Sequence, residues 1–371
     1  MTDIEKIWDV ICYSYNKAVK YKSDLEKEYG IDFSIKECCA FGIDYYLVTP
    51  TKKIDQRGTI VSDVYYGARS IENLIYDVLE HGVDQHNERT NTLTRSIFDA
   101  KLIIEEGDFP WQTNHICSPR LSFLEMWFFL NGKTNTKELE EQGCFFWRGN
   151  TSKEFQESVG LSYLNEGDLG AAYSIQWRSS GDYDYTKAYL TGTGANAPLN
   201  GKDQLKSLVD GLMRDKYGRR HIVELWNPKD NEHGVLTPCW KSLQAVVLHD
   251  KESGLDVLHF KLINRSLDCL FGARFAIQQY RMFQMALCKW FGFELGRLSC
   301  DLSHVHIYEN QFEYCKEMLT REYVDDSLCS IELTKEINSL EDLLSIQWED
   351  WNVVYETNRT PFKTPRPDMI S

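Results

Sequence analysis

The region that most constrains the fold runs from residue 243 to residue 311, where strand and helix patterns follow one another. Leu258, Phe260 and Leu262 alternate toward one side, which is typical of a strand with one buried face. The apolar run LQAVVLHD precedes this strand, and SHVHIYENQ follows later as another strand. Between them a glycine turn leads into the apolar block FGARFAIQQYRMFQMALCKWFG. The region therefore predicts three strands and one buried helix.

Further helices are predicted from apolar stripes at helical spacing. Residues 2–29 are expected to form one amphipathic helix, which Gly30 ends. A second helix begins near Ser70 and ends at Gly82. The segment SFLEMWFFLNG predicts an apolar helix, and residues 202–214 predict another.

Two polar segments show no period and are interpreted as loops. The first is QHNERTNTLTRS, which contains Arg89 and Arg95 and is typical of a solvated surface loop. The second, residues 179–201, is rich in Gly, Tyr, Asp and Asn and is interpreted as a long loop or lid. Ahead of both, the YYLV run of Tyr45–Val48 predicts a strand that enters a turn at Pro50.

Charge and cysteine usage exclude several classes of protein. The formal net charge of −15 argues against a general binder of polyanions, so an anionic ligand would need a local arginine cluster. The longest fully apolar run, residues 126–130, is too short for a membrane helix. The start MTDIEKIWDV lacks the pattern of a secretory signal. The 11 cysteines form no CxxC pair, so reduced thiols in a cytoplasmic protein are expected.

The stretch from Arg219 to Trp240 carries a chemical hypothesis. Two adjacent arginines, Arg219 and Arg220, can hold a dianionic phosphate through forked hydrogen bonds. Cys239, set behind a proline, could become a thiolate nucleophile if a guanidinium lay near it. The alternative is that Cys239 is a small buried hydrophobe, as most cysteines are. Arginines and cysteine together suggest attack on a phosphorylated substrate.

Other polar residues stand in positions that suggest a site. Glu125 lies among apolar residues of its predicted helix, and a buried carboxyl there would have a raised pKa. His304, His306 and Tyr308 share one face of their strand. Their spacing would suit a metal, but no acidic or cysteine cluster accompanies them, so no metal is expected. The glycines form neither GxGxxG nor a P-loop, which argues against nucleotide cofactors of those kinds.

Collinear motifs over residues 70–320 make the chain resemble the thymidylate synthase family, which includes the pyrimidine nucleotide hydroxymethylases. The motifs are RT at Arg89-Thr90, FP at Phe109-Pro110, EMWFFLNGKTN from Glu125, FW at Phe146-Trp147, GDLGAAYSIQWR from Gly167, the pair Arg219-Arg220, WNP at Trp226, PCW at Pro238, NRSLD from Asn264 and HIYEN from His306. The resemblance implies an α/β (α+β) fold with a mixed β-sheet packed with helices, and a homodimer formed through the sheet. We expect a mostly helical extension (1–69), a catalytic domain (70–355) and a C-terminal tail (356–371).

The resemblance also implies covalent catalysis on a pyrimidine nucleoside 5′-monophosphate, with 5,10-methylenetetrahydrofolate as one-carbon donor. Cys239 would add to ring carbon 6 and make carbon 5 nucleophilic. Glu125 would organise waters and proton transfers. Tyr173 would lie near the carbon 5 proton that must leave. Arg265, beside the thiol, would help to lower its pKa.

Binding roles follow from the same resemblance. The phosphate would be held by Arg89, Arg265 and Ser266, together with Arg219 and Arg220 from the neighbouring subunit, so the active sites would be shared. The sugar 3′-hydroxyl would bond to two residues, His306 and Tyr308. The folate side would be lined by four residues, Trp147, Asp268, Gly272 and His115.

The chain departs from the family at the edge of the base. The family's asparagine that reads uracil is here Ala276, and the histidine after the nucleophile is here Trp240. Gln278 and Gln279 are the nearest amides that could read a base instead, unless they face solvent. On the folate side, His115 stands where the family has a lysine. A site that loses a side chain that hydrogen-bonds to the base also loses the discrimination between bases that this side chain gave.

These departures shift the leading prediction to a deoxycytidylate, or deoxyuridylate, 5-hydroxymethyltransferase. The alternative is thymidylate synthase, which methylates dUMP reductively. A nucleotide-binding pseudoenzyme is a third possibility, disfavoured because Cys239, Glu125 and Tyr173 are all present. No nucleic-acid or membrane partner is expected.

Overall fold

A computed structural model describes strands within residues 10–66 and the residues 70–181, 183–192 and 200–368. The chain divides into two compact units, Met1–Val64 and Tyr65–Ser371. Among the described residues, none of the helices combines the length and the apolar character that crossing a membrane requires.

Every described residue of the first unit lies in a strand. The strands are β1 (Val10–Cys12), β2 (Phe33–Ala40), β3 (Ile43–Pro50), β4 (Lys53–Ile54) and β5 (Ile60–Val61), and β1–β3 form an antiparallel sheet in the order β1-β3-β2. The strand expected at Tyr45–Val48 is confirmed. The single helix expected over residues 2–29 is wrong at β1, because three consecutive residues there pair with β3. The remainder of that expected helix lies outside the described residues.

The second unit combines one large sheet with several helices. Its strands are β6 (Val64–Tyr66, which begins at the unit boundary), β7 (Val83–Asn87), β8 (Thr92–Ile104), β9 (Ile222–Glu224), β10 (Trp240–His249), β11 (Asp256–Asn264), β12 (Leu267–Asp268), β13 (Glu294–Tyr308), β14 (Ser330–Leu333) and β15 (Trp351–Val354). Its α-helices are α1 (Ser70–His81), α2 (Pro119–Leu130), α3 (Lys137–Glu140), α4 (Lys153–Ser158), α5 (Tyr173–Ser179), α6 (Tyr185–Thr191), α7 (Gln204–Arg214), α8 (Arg274–Phe291), α9 (Phe312–Leu319) and α10 (Leu340–Leu344).

The large sheet is mixed. Its central order is β8-β13-β11-β10-β9, with β11 and β13 parallel and the other neighbours antiparallel. Helix α8 packs on this sheet, since the ring centroids of Phe283 and Phe260 lie 5.7 Å apart. Trp177 of α5 meets the same Phe283 ring edge-on at 5.5 Å. The expected mixed sheet packed with helices is confirmed, and so are the strands and the buried helix expected between residues 243 and 311.

Two segments interpreted as loops contain regular structure. The polar run with Arg89 and Arg95 belongs to the hairpin β7–β8, whose turn places Asn91 at φ +47°. Arg95 holds the hairpin to its surroundings through an ion pair with Asp84 and a bond to the carbonyl of Leu79. The second segment contains helix α6, which begins at the capping side chain of Asp184. Polar strands exposed along their length carry no alternation, which explains the missed hairpin.

Candidate active site

A large cavity of about 1630 Å³ opens where β10 begins and where β11 and β13 end, near helices α2 and α8. Its walls include Cys239, Glu125 and Tyr173, together with segment 358–362 near the C-terminus. A volume of this size exceeds the common range for a site that holds one small molecule. The cavity therefore has room for two ligands side by side.

Cys239 is fixed at this cavity by two neighbours. The hydroxyl oxygen of Tyr173 accepts hydrogen bonds from the backbone nitrogens of Cys239 (2.7 Å) and Trp240 (3.2 Å). Arg265 donates from Nε to the carbonyl of Pro238 and from Nη2 to that of Thr237. The same Nη2 lies 4.0 Å from the sulfur of Cys239. The thiol is therefore held in the cavity wall beside the guanidinium of Arg265, the neighbour that the resemblance implied.

Burial dominates the proton affinity of this thiol. It raises the pKa of Cys239 above its usual value, the cations of Arg265 and Arg89 oppose the rise, and Asp268 adds to it. Arg265 thus acts in the direction that the resemblance implied, but burial outweighs it, so the net pKa of Cys239 is raised. Among the cysteines whose side chains are described, only Cys239 and Cys329 are partly exposed.

Glu125 is a buried carboxyl held by two donors. The indole nitrogen of Trp147 donates to its Oε1 at 2.6 Å, and the amide of Gln279 donates to its Oε2. Burial raises the pKa of Glu125 to about 7, although both hydrogen bonds favour the charged form. A carboxyl with a pKa near neutrality can both give and take a proton at physiological pH.

The predicted phosphate ligands separate into two groups. Arg89, Arg265 and Ser266 all line the cavity. Arg219 and Arg220 are exposed on the segment before β9 and do not line it. One chain therefore brings the first three together near Cys239 and leaves the arginine pair outside.

The predicted sugar ligands also line the cavity. His306 and Tyr308 lie on β13 with ring centroids 5.1 Å apart. Burial, together with the neighbouring His304, lowers the pKa of His306 to about 4, so its imidazole is neutral at pH 7. The buried Nδ1 of His306 has no hydrogen-bond partner among the described residues. A ligand hydroxyl could supply that partner.

Of the residues predicted to lie at the edge of the base, some line the cavity and one does not. Ala276 and Trp240 line the cavity, where neither offers an acceptor to a base. The contact expected from Gln278 is wrong: this side chain is fully buried outside the cavity, bonded to the carbonyl of Pro110 and to Ser122. Gln279 does line the cavity but donates to Glu125.

All four residues predicted for the folate side, Trp147, Asp268, Gly272 and His115, line the cavity. Asp268 caps the turn into α8 by accepting from the nitrogens of Leu270 and Phe271. His115 contacts the guanidinium of Arg274. Burial and the charge of Arg274 lower the pKa of His115 to about 2, which keeps its ring neutral.

Sequence reasoning missed three parts of the wall. Asn264 and Arg274 line the cavity, although Asn264 was noticed only as the first letter of a motif. Residues 358–362 also line it, held by Arg321, which bonds to Asn358 and Thr360 and stacks over Phe362 at 4.1 Å. The signal available in the sequence was a charged residue, Arg274, in an otherwise apolar block directly after a glycine turn.

The mixed sheet presents a cysteine, a guanidinium and a carboxyl with a pKa of about 7 to one large cavity, which is the type of site that enzymes with an activated nucleophile use. The family described as thymidylate synthase matches residues 69–363. The chain therefore belongs to the thymidylate synthase family.

Several relatives carry the family name. Thymidylate synthase of Saccharomyces cerevisiae is 30% identical over a 303-residue alignment that covers 77% of this chain and 95% of that protein. Thymidylate synthase of Agaricus bisporus is 32% identical over 254 residues, 67% of this chain and 83% of that protein. The bifunctional dihydrofolate reductase-thymidylate synthase of Zea mays is 32% identical over 250 residues, 67% of this chain. This chain spans 46% of that protein's length, about half.

Proposed function

We propose that the protein transfers a one-carbon unit from 5,10-methylenetetrahydrofolate to carbon 5 of a pyrimidine nucleoside 5′-monophosphate. The observation that carries the proposal is the position of the Cys239 sulfur in the wall of a two-ligand cavity, 4.0 Å from Arg265. The proposal is supported by Arg89 and Ser266, which can bind a phosphate and lie in the wall of the same cavity.

In this reaction the sulfur of Cys239 forms a bond to ring carbon 6, and the electron pair of the ring's double bond passes toward carbon 5 and the carbonyl. Carbon 5 then attacks the one-carbon unit, and one of that carbon's two bonds to folate nitrogens breaks. Loss of the carbon 5 proton breaks the second bond, so tetrahydrofolate departs and the ring carries an exocyclic methylene. Glu125 suits proton transfer because its pKa lies near 7. Tyr173 keeps the nucleophile's backbone in place through two accepted hydrogen bonds. The sulfur leaves when the product forms.

The relatives favour methylation of dUMP, the reaction of a thymidylate synthase, over the hydroxymethylation that the sequence led us to rank first. They carry the name thymidylate synthase at 30% and 32% identity. Reductive methylation consumes a hydride from the folate and yields dihydrofolate. Hydroxymethylation, in which water adds to the exocyclic methylene, is the second candidate. It is favoured by Ala276 and Trp240, which replace the family's polar readers at the base edge.

We also propose that two chains share their active sites. Arg219 and Arg220 lie exposed and outside the cavity of their own chain, where a second subunit could receive them. The strands of the sheet carry exposed apolar side chains, among them Phe98 and Leu248, at 79% and 56% exposure. Exposed apolar area of this kind favours association through the sheet.

The reaction is tested by incubating the protein with methylenetetrahydrofolate and dUMP, dCMP, UMP or CMP, and weighing the products by mass spectrometry. We expect a methyl product from dUMP with dihydrofolate formed in equal amount. A hydroxymethyl product without dihydrofolate would establish the second candidate. Absence of any product, and of tritium release from carbon 5, would leave only a nucleotide-binding protein.

The nucleophile is tested by a matched pair of variants. Cys239→Ser should abolish turnover, because the oxygen of serine is a far weaker nucleophile at neutral pH. Cys329→Ser is the control, since Cys329 is the other partly exposed described thiol and does not line the cavity. Equal activity of both variants would overturn the covalent mechanism.

A further inference from the structure

Asn264 is a fully buried amide in the wall of the cavity. Its side chain has no solvent exposure, and it lines the cavity together with Cys239 and Trp240. Neither Oδ1 nor Nδ2 has a hydrogen-bond partner among the described residues. Buried amides in folded proteins almost always have partners, because an unpaired one loses its hydration without compensation. Two unpaired atoms on one amide therefore point to a ligand.

The sheet places this amide beside the nucleophile. Asn264 ends β11 and faces Trp240 in the antiparallel register of β10 and β11. The next residue, Arg265, donates its backbone nitrogen to the carbonyl of Cys239 at 2.9 Å. A ring held by a bond from carbon 6 to Cys239 would therefore lie within the neighbourhood of the Asn264 amide.

The two glutamines near the expected base edge are engaged. Gln278 points away from it, with both ends of its amide bonded to the protein. Gln279 donates to Glu125. Ala276, where the family's base reader is expected, has no polar side chain. Among the amides of this region, Asn264 alone combines a place in the wall with two unpaired atoms.

We propose that Asn264 recognises the pyrimidine base through two hydrogen bonds. Its Nδ2 donates one, and its Oδ1 accepts the other. This inference rests on the proposed function and names its specificity residue. A carboxamide can pair with cytosine, donating to ring nitrogen 3 and accepting from the 4-amino group. Rotated by half a turn, it can pair with uracil, accepting from nitrogen 3 and donating to oxygen 4. Because no described neighbour fixes the rotation, the amide accepts either base.

The test compares nucleotide binding with binding of 2-deoxyribose 5-phosphate, which lacks the base, by titration calorimetry. The ratio of the two dissociation constants measures what the base contributes. Asn264→Leu keeps the side-chain shape and removes both polar atoms. We expect it to lower the base contribution for dCMP and for dUMP by at least about fivefold, the loss usual for a buried hydrogen-bonding group left unpaired. Sugar-phosphate affinity should not change.

Asn264→Asp offers acceptors alone, so it keeps one bond with each base, from the 4-amino group of cytosine or from the N3–H of uracil, and repels the other atom, nitrogen 3 or oxygen 4. We expect the base contribution to fall for both nucleotides and the affinity ratio of dCMP to dUMP to change by less than about twofold. Gln278→Leu is the matched control, because that amide is equally buried but has partners. It should lower the melting temperature and leave the base contribution unchanged, whereas Asn264→Leu should not lower the melting temperature of the unliganded protein.

Three outcomes distinguish the two proposals. An unchanged base contribution in Asn264→Leu, with normal nucleotide binding by the wild type, would overturn the assignment of Asn264 alone. An equal loss for the sugar phosphate would also overturn it, since the residue would then be a structural support. A wild-type protein that binds no pyrimidine nucleotide more tightly than the sugar phosphate would overturn the proposed function, and this inference with it.

Discussion

Glu125 shows at the residue scale how burial turns an ordinary carboxyl into a titrating group. Its pKa of about 7 exceeds its ordinary value of 4.5. Between these two pH values the folded chain keeps a proton that the unfolded chain has released. Rising pH therefore favours the unfolded state, so the stabilisation present below pH 4.5 is lost as the pH approaches 7.

We predict that the wild type loses stability relative to Glu125→Gln as the pH rises from 4.5 to 7. The loss should reach about 3 kcal/mol, at about 1.4 kcal/mol for each pH unit between the two pKa values. Melting temperatures measured at several pH values check this. Glu154→Gln, at an exposed carboxyl outside the cavity, is the control and should follow the wild type. Parallel curves for the wild type and Glu125→Gln would contradict the assigned titration.

The hydroxyl oxygen of Tyr173 supports the nucleophile by accepting two backbone hydrogen bonds. Tyr173→Phe removes the oxygen that receives the backbone nitrogens of Cys239 and Trp240. We predict a loss of about 1–3 kcal/mol in unfolding free energy, because two buried donors lose their partner, and a fall in turnover. Denaturant unfolding and product assays measure both. Tyr185→Phe, at an exposed ring that stacks on His233, should change neither. A fully stable and active Tyr173→Phe would argue against the support.

Individual residues also show how much of the site could be predicted from the sequence. The resemblance implied that Cys239, Glu125 and Arg265 share one site, and the structure places all three in the wall of one cavity. The net pKa of Cys239 was out of reach, since burial outweighs its cations and depends on packing from distant segments. Gln278 was misassigned because a helix turns adjacent side chains toward different neighbours.

At the element scale, the segment 358–362 closes one side of the cavity. Arg321 holds it through Asn358, Thr360 and Phe362. Sequence periodicity could not reveal this wall, because the segment forms no helix or strand. The hairpin β7–β8 was missed for a related reason, since its polar residues give no alternation. Apolar elements such as β11 and α8, by contrast, were found close to their observed bounds.

We predict that Arg321→Ala loosens this segment and weakens folate binding more than nucleotide binding. The physical reason is that the segment lies beside a residue predicted for the folate side: the ring of Phe362 meets that of His115 edge-on at 6.3 Å, and Arg321 bonds to Thr360 and stacks over Phe362. Apparent Michaelis constants for the two substrates separate the effects. Lys289→Ala, which removes an ion pair with Glu336 and does not line the cavity, is the control. Equal losses for both substrates would show that Arg321 acts on the whole fold.

At the scale of the whole molecule, the proposed sharing of sites makes a prediction for mixed variants. Arg219→Ala and Cys239→Ala should each be inactive alone. After subunit exchange, a heterodimer has one intact site, so roughly a quarter of wild-type activity should return. Activity assays on mixtures measure this. Arg89→Ala mixed with Cys239→Ala is the control, since both residues line one cavity of one chain and no intact site can form. Equal rescue in both mixtures would contradict the shared arrangement.

The uneven exposure of the thiols makes selective chemical labelling of Cys239 feasible. Among the cysteines whose side chains are described, only Cys239 and Cys329 are partly open, and only Cys239 lies in the cavity wall. An alkylating reagent therefore meets few reactive positions in this part of the chain, and a bound nucleotide would shield one of them. Mass spectrometry of ligand-protected alkylation could thus count the competent sites in a preparation without any turnover.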